Sequence, residues 1–283
     1  MTTFDLEAWI TDRRARVDAA LQSALPNRER SDPGRLREAM HYAVMLGGKR
    51  MRPLLTVAAC EAAGGTCEQA LPAACAIEMV HAYSLVHDDL PSMDDDALRR
   101  GQPTVHVAFG EDKAVLCGDA LLTLAFETLA RGQGRGGRIV EAVVRLGHYA
   151  GIEGMVGGQA MDLDAGQDVR DLEALEAIHA KKTGALYAAS GAMGALCAGV
   201  DDDLVARLER WGMQFGIAFQ HADDLLDDEQ VALREQAIAR VDNLVASCLD
   251  LVHDLGPGAE AVRAIAQWVH ERTHAAAAGE KRE

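Results

Sequence analysis

The chain has 283 residues and a formal charge of −16, from 28 Lys and Arg against 44 Asp and Glu. A surface that acidic repels nucleic acid and anionic membrane, so neither is expected as a partner. With 4% aromatic residues and almost no alternating runs of Val, Ile, Thr or Tyr, a sheet is not expected, and one all-α domain over residues 1–283 is the economical reading.

Apolar periodicity and its breakers predict about ten helices: Leu6–Leu25, Pro33–Leu46, Pro53–Ala63, Cys67–Asp89, Asp112–Arg131, Arg138–Met161, Asp171–Ala198, Asp202–Asp228, Val231–Leu255 and Ala259–His274. Gly47-Gly48, Gly64-Gly65, Pro91, the glycines from Gly132 to Gly137 and Gly256-Pro257-Gly258 separate them. The gaps have no fixed period, which disfavours a helical solenoid. Ala185 to Val200 is apolar and small, and is expected as a buried helix rather than a membrane span. Cys60, Cys67, Cys75, Cys117, Cys197 and Cys248 lack CxxC spacing and read as core residues of a reducing compartment. Met1 to Ile10 has no basic segment followed by an apolar run, so a cytoplasmic location is expected.

Four constellations carry chemistry. In the segment from His81 to Asp96, an apolar helix runs into Asp88 and Asp89, then Pro91, then Asp94, Asp95 and Asp96. Carboxylates at a helix C-terminus face the negative end of the helix dipole and repel one another, so a cation is needed. Mg2+ suits, because it takes a few carboxylates and leaves positions for water and phosphate oxygens. From this segment alone, a solvated acidic loop stays open as the alternative. Arg99 and Arg100 follow at once, and guanidinium is the group for bidentate phosphate recognition.

Farther on, Asp223 and Asp227 stand at i and i+4 with Asp224 beside them and Gln220 one turn earlier. Like charges at that spacing destabilise a helix unless a cation bridges them; an exposed acidic helix end is the alternative, disfavoured because Phe215 to Phe219 leading in reads as buried. Lys49 and Arg52 flank Gly-Gly and Pro53 at a helix start, a natural anion site. Lys182 and Thr183 put an ammonium and a hydroxyl into an otherwise apolar helix, where a snorkelling lysine is the plain explanation. Together they describe two metal-binding acidic patches and basic groups suited to diphosphate.

Gly47-Gly-Lys-Arg-Met-Arg-Pro53, His87-Asp-Asp-Leu-Pro-Ser-Met-Asp-Asp-Asp96 with Leu98-Arg-Arg-Gly101, Gly157-Gly-Gln-Ala-Met-Asp-Leu163, Lys182-Thr-Gly-Ala-Leu186 and Phe219-Gln-x-x-Asp-Asp-x-x-Asp227 resemble the ordered signatures of trans-isoprenyl diphosphate synthases, nearest to bacterial farnesyl diphosphate synthases. That resemblance implies an antiparallel helical barrel around a deep central cavity, in a homodimer. It implies that Asp88, Asp89 and Asp94 hold Mg2+ from one side and Asp223, Asp224 and Asp227 from the other. Arg99, Lys182, Thr183 and Gln220 would contact the allylic diphosphate, and Lys49, Arg52, His81 and Arg100 isopentenyl diphosphate. Asp88, Asp89, Arg99, Lys182 and Asp223 would carry the catalysis.

Tyr83 lies five residues before Asp88, with Ser84 next to it, where an aromatic ring would form the cavity floor. With the Pro91-Ser92 insertion, this resembles the pattern of farnesyl-producing enzymes; ordinary core packing is the other explanation of Tyr83. Geranyl or geranylgeranyl synthesis, a terpene cyclase and a non-catalytic synthase subunit are the alternatives. The chain departs from the family after Asp228, where a Gly-Asp loop and a lysine-bearing segment are expected and Val231-Ala-Leu-Arg-Glu-Gln236 follows directly. Either a mobile lid is left out of this sequence, the preferred reading because both acidic patches are intact, or the segment is truly lost and the synthase is weakened or non-catalytic.

Overall fold

The computed structural model describes residues 4–27, 31–132, 138–165, 171–227 and 233–277. The expected all-α class holds. Helices α1 (Leu6–Ala24), α2 (Leu36–Met45), α3 (Met51–Ala62) and α4 (Cys67–Asp88) lead to a two-residue hairpin of β1 (Leu98–Arg99) and β2 (Gln102–Pro103). After it come α5 (Val105–Phe109), α6 (Glu111–Ala130), α7 (Arg138–Ala150), α8 (Met155–Ala165), α9 (Leu172–His179), a π-helical turn (Ala180–Gly184), α10 (Ala185–Ala198), α11 (Asp202–Leu226), α12 (Arg234–Leu251) and α13 (Glu260–Ala277).

Two expectations need correction and one lies outside the described residues. The helix expected over Arg138–Met161 is two, because Gly151 to Gly154 turn the chain between α7 and α8. The hairpin and α5 were not foreseen, since elements of two and five residues leave no periodicity to read. The helix start expected at Val231, and the junction after Asp228 where the family's lid would follow, fall on residues 228–232, outside the described residues.

Helix α10 is the centre of the core. Its residues from Ala185 to Cys197 are all buried, as an all-round apolar helix must be, and it packs against α3, α4, α7 and α11. Alanine and glycine let α11 come close: a Cβ on Gly191 would sit 2.1 Å from the Leu208 carbonyl oxygen, and one on Gly212 2.1 Å from that of Tyr187. Trp211 and Phe215 of α11 stack at 5.3 Å, and Tyr187 meets Phe215 edge-on at 5.2 Å. All six cysteines are buried thiols, and no helix among the described residues is long and apolar enough to cross a membrane.

Candidate active site

Both acidic clusters lie at helix C-termini. Asp88 is the last residue of α4 and Asp89 its cap. The chain then folds back, with the Asp94 amide donating to the Asp88 carbonyl at 2.8 Å, so the exposed Asp94 stays beside the helix end. Asp223 and Asp224 occupy the last turn of α11, and the exposed Asp227 caps it, its amide donating to the Asp223 carbonyl at 3.0 Å.

The carboxylates have different electrostatic surroundings. Burial pushes Asp88 up to about 6, against the pull of Lys182. Asp89 is buried and gripped by Arg99, whose Nε donates to Oδ1 at 2.7 Å and whose Nη2 donates to the same oxygen at 2.5 Å. Burial also raises Asp223, offset in part by Arg272 of α13, whose Nη1 donates to Oδ1 at 2.5 Å. Asp224 goes the other way: burial opposes its charge, but His179 at 3.2 Å and the Gln220 amide at 2.8 Å outweigh that and hold it below its ordinary value.

Two cavities meet here. The first, about 780 Å3, is lined by Lys49, Arg52, His81, Arg99, Arg100, Thr183, Gln220 and Asp223. The second, about 440 Å3, shares Arg52, His81 and Thr183, adds Asp88 and Lys182, and is otherwise largely apolar, with Leu85, Met93, Met155, Val156, Ala160 and Leu163 on its walls. Tyr83 and Ser84 line it too, Tyr83 with 7% exposure and its phenol pushed up to about 12 by burial. The residues singled out by sequence are therefore brought to one region, although the two cavities themselves are not lined by Asp89, Asp94, Asp224 or Asp227.

Local structure explains the basic wall. Gly48 adopts φ +133°, a conformation that favours glycine, and the Arg100 guanidinium packs 2.6 Å from where a Cβ would be. Arg100 donates to the Gly47 carbonyl, which ties the hairpin to the turn before α3. Arg52 stacks over Tyr187 at 4.7 Å and its buried Nε has no protein partner. His81 is pushed well below its ordinary pKa by burial and by Arg52, Arg100 and Arg99, so it faces this wall as a neutral imidazole. Gly158 of α8, where a Cβ would sit 2.2 Å from the Lys182 amide nitrogen, lets α8 press on the π-helical turn. There Lys182 Nζ reaches Asp162 at 2.5 Å and the Thr183 hydroxyl donates to Gln220 at 2.8 Å.

Sequence reasoning missed Arg272, His179 and His221. Nothing local marks Arg272, and His179 and His221 read as ordinary helix residues until α9 and α11 meet and their rings lie 4.8 Å apart. Among the described residues, Asp224 joins three convergent metal-ligand atoms only with those two histidines, and neither aspartate cluster does so by itself.

The polyprenyl synthetase family model matches residues 33–232. The chain belongs to the polyprenyl synthetase family. The heterodimeric geranylgeranyl pyrophosphate synthase large subunit 1 of Arabidopsis thaliana is 48% identical over 233 residues, which cover 80% of this chain and 62% of that protein. A geranylgeranyl diphosphate synthase of Cyanophora paradoxa is 44% identical over 229 residues, 80% of this chain and 75% of that one. Among solved structures, an FPP/GFPP synthase from Zymomonas mobilis superposes with a TM-score of 0.86 at 38% identity, covering 94% of this chain and 98% of that one.

Proposed function

We propose that the protein is a trans-prenyltransferase that condenses isopentenyl diphosphate with allylic diphosphates. The observation that carries this reading is the junction of the two cavities, one cationic and lined by Asp223, the other largely apolar and lined by Asp88. The aspartates at the ends of α4 and α11 supply hard carboxylate oxygens, which suit Mg2+ and leave positions for diphosphate oxygens and water. Asp88, Asp89 and Asp94 would hold it on one side and Asp223, Asp224 and Asp227 on the other, where it would neutralise the departing diphosphate.

Arg99, Lys182, Thr183 and Gln220 orient the allylic diphosphate. Lys49, Arg52, His81 and Arg100 hold isopentenyl diphosphate. The allylic C–O bond breaks with its electron pair leaving on diphosphate, the isopentenyl double bond attacks the allylic carbon, and a proton passes to the departed diphosphate. The apolar walls exclude water, so the cation meets the alkene and not a hydroxyl.

For product length, the names of the sequence relatives favour geranylgeranyl diphosphate. Farnesyl diphosphate is the second reading, favoured by the buried Tyr83 ring in the apolar cavity. A homodimer is part of the proposal: Val115 and Leu116 of α6 and Val140 and Val144 of α7 are exposed apolar side chains that a second copy would cover. A cytoplasmic location, supported by six unpaired thiols, is proposed as well.

The test is product analysis after incubation with Mg2+, labelled isopentenyl diphosphate and dimethylallyl, geranyl or farnesyl diphosphate. Label in longer prenyl diphosphates is expected. No incorporation with any primer would refute the proposal, and a cyclised hydrocarbon from one diphosphate alone would point to a terpene cyclase.

A further inference from the structure

We infer that Asp242, His270 and His274 form a second metal site, for a borderline divalent ion with Zn2+ foremost, on the outer face where α12 meets α13. His270 and His274 are i and i+4 on α13 and so project from one face a turn apart. Their rings lie 4.4 Å apart. Both turn Nε2 to the same oxygen of Asp242 on α12, at 3.2 Å and 2.8 Å. The three ligand atoms lie within 4.8 Å of one another.

Metal bonds of about 2.0–2.2 Å give a tetrahedral site ligand-to-ligand edges of roughly 3.3 Å, close to both of these nitrogen–oxygen separations. Side-chain exposures of 47%, 45% and 43% leave room for an ion to enter and for water to complete its shell. Two imidazoles and one carboxylate select Zn2+, Ni2+ or Cu2+, whereas the all-oxygen aspartate clusters suit Mg2+. As simple hydrogen bonds, two histidines on one exposed carboxylate oxygen contribute little. Replacing both Nε2 protons with one cation gives the same geometry three strong bonds. The ion would clamp α12 to α13, the helix that carries Arg272 to Asp223.

The test uses the untagged full chain with Mg2+ in excess to occupy the aspartate clusters, titrated with Zn2+ by calorimetry and with Co2+ by visible absorption. One equivalent that depends on His270 and His274 is expected, over and above any taken by His179, His221 and Asp224, with a tetrahedral Co2+ spectrum and a melting temperature that rises with Zn2+ concentration. His270→Ala and His274→Ala, singly and together, should melt like the parent without metal and lose that equivalent. An Asp88→Asn/Asp223→Asn double variant should keep it. The inference fails if no Zn2+ binds, if the histidine variants retain the equivalent, or if only the aspartate variant loses it.

Discussion

Arg272 of α13 sets its Nη1 2.5 Å from Oδ1 of Asp223, the first carboxylate of the α11 cluster. The guanidinium also lies over Phe219 at 5.6 Å and Trp268 at 5.4 Å, so aromatic faces fix where its charge sits. It stands where a cation is needed when no metal is bound. Arg272→Ala should therefore lower metal-free stability, by about 1–3 kcal/mol for a partly buried charge left unpaired. Added Mg2+ with inorganic diphosphate should restore part of the loss. Thermal melts with and without those additions check this; a loss that is the same in both would show that Arg272 acts only in packing.

Two arginines in one turn should behave oppositely. Arg50 is buried and bonds Glu78 at 2.6 Å and Asp18 at 2.9 Å, so Arg50→Ala strands a buried carboxylate and should cost about 3–5 kcal/mol in denaturant unfolding. Arg52 has no carboxylate partner among the described residues and faces both cavities. Losing a charge-assisted bond of about 1.5–3 kcal/mol, Arg52→Ala should raise the KM for isopentenyl diphosphate roughly 10- to 100-fold with little change in stability.

Asp88 should give the apo protein a measurable pH dependence. Its folded pKa of about 6 lies above the ordinary 3.8 because of burial, so between those values the folded state binds more protons than the unfolded one. This group's contribution to stability therefore falls as pH rises through that window and is most unfavourable above about 6. Mg2+ must displace the same proton, so metal affinity should weaken as pH drops below about 6. Melting curves from pH 4 to about 8 for the parent and for Asp88→Asn, with and without Mg2+ and diphosphate, test both signs. Identical profiles for the two proteins would contradict the assignment.

Tyr83 contacts His87 edge-on at 5.9 Å and stands in the wall of the apolar cavity. Tyr83→Ala removes the ring from the path of a growing chain and should shift the product distribution to longer prenyl diphosphates by at least one isoprene unit. Chromatography of dephosphorylated products reads this directly, and an unchanged distribution would reduce Tyr83 to a core residue.

Legible in the sequence were the helical class, the burial of the Ala185–Val200 stretch as far as Cys197, the positions of the acidic clusters at helix ends and the grouping of basic residues near Gly47 and Arg99. These are local properties: periodicity, caps and i to i+4 spacing are written in consecutive residues. Tertiary structure decided which charges pair. Arg50 is committed to Glu78, 28 residues away, while its neighbour Arg52 is left facing the cavities. Arg99 closes on Asp89, and Arg272 reaches Asp223 across 49 residues. The joining of His179 and His221 at Asp224, and of His270 and His274 at Asp242, is likewise set by which helices meet. An ion pair's strength depends on distance and burial, and sequence spacing specifies neither once the partners sit on different helices.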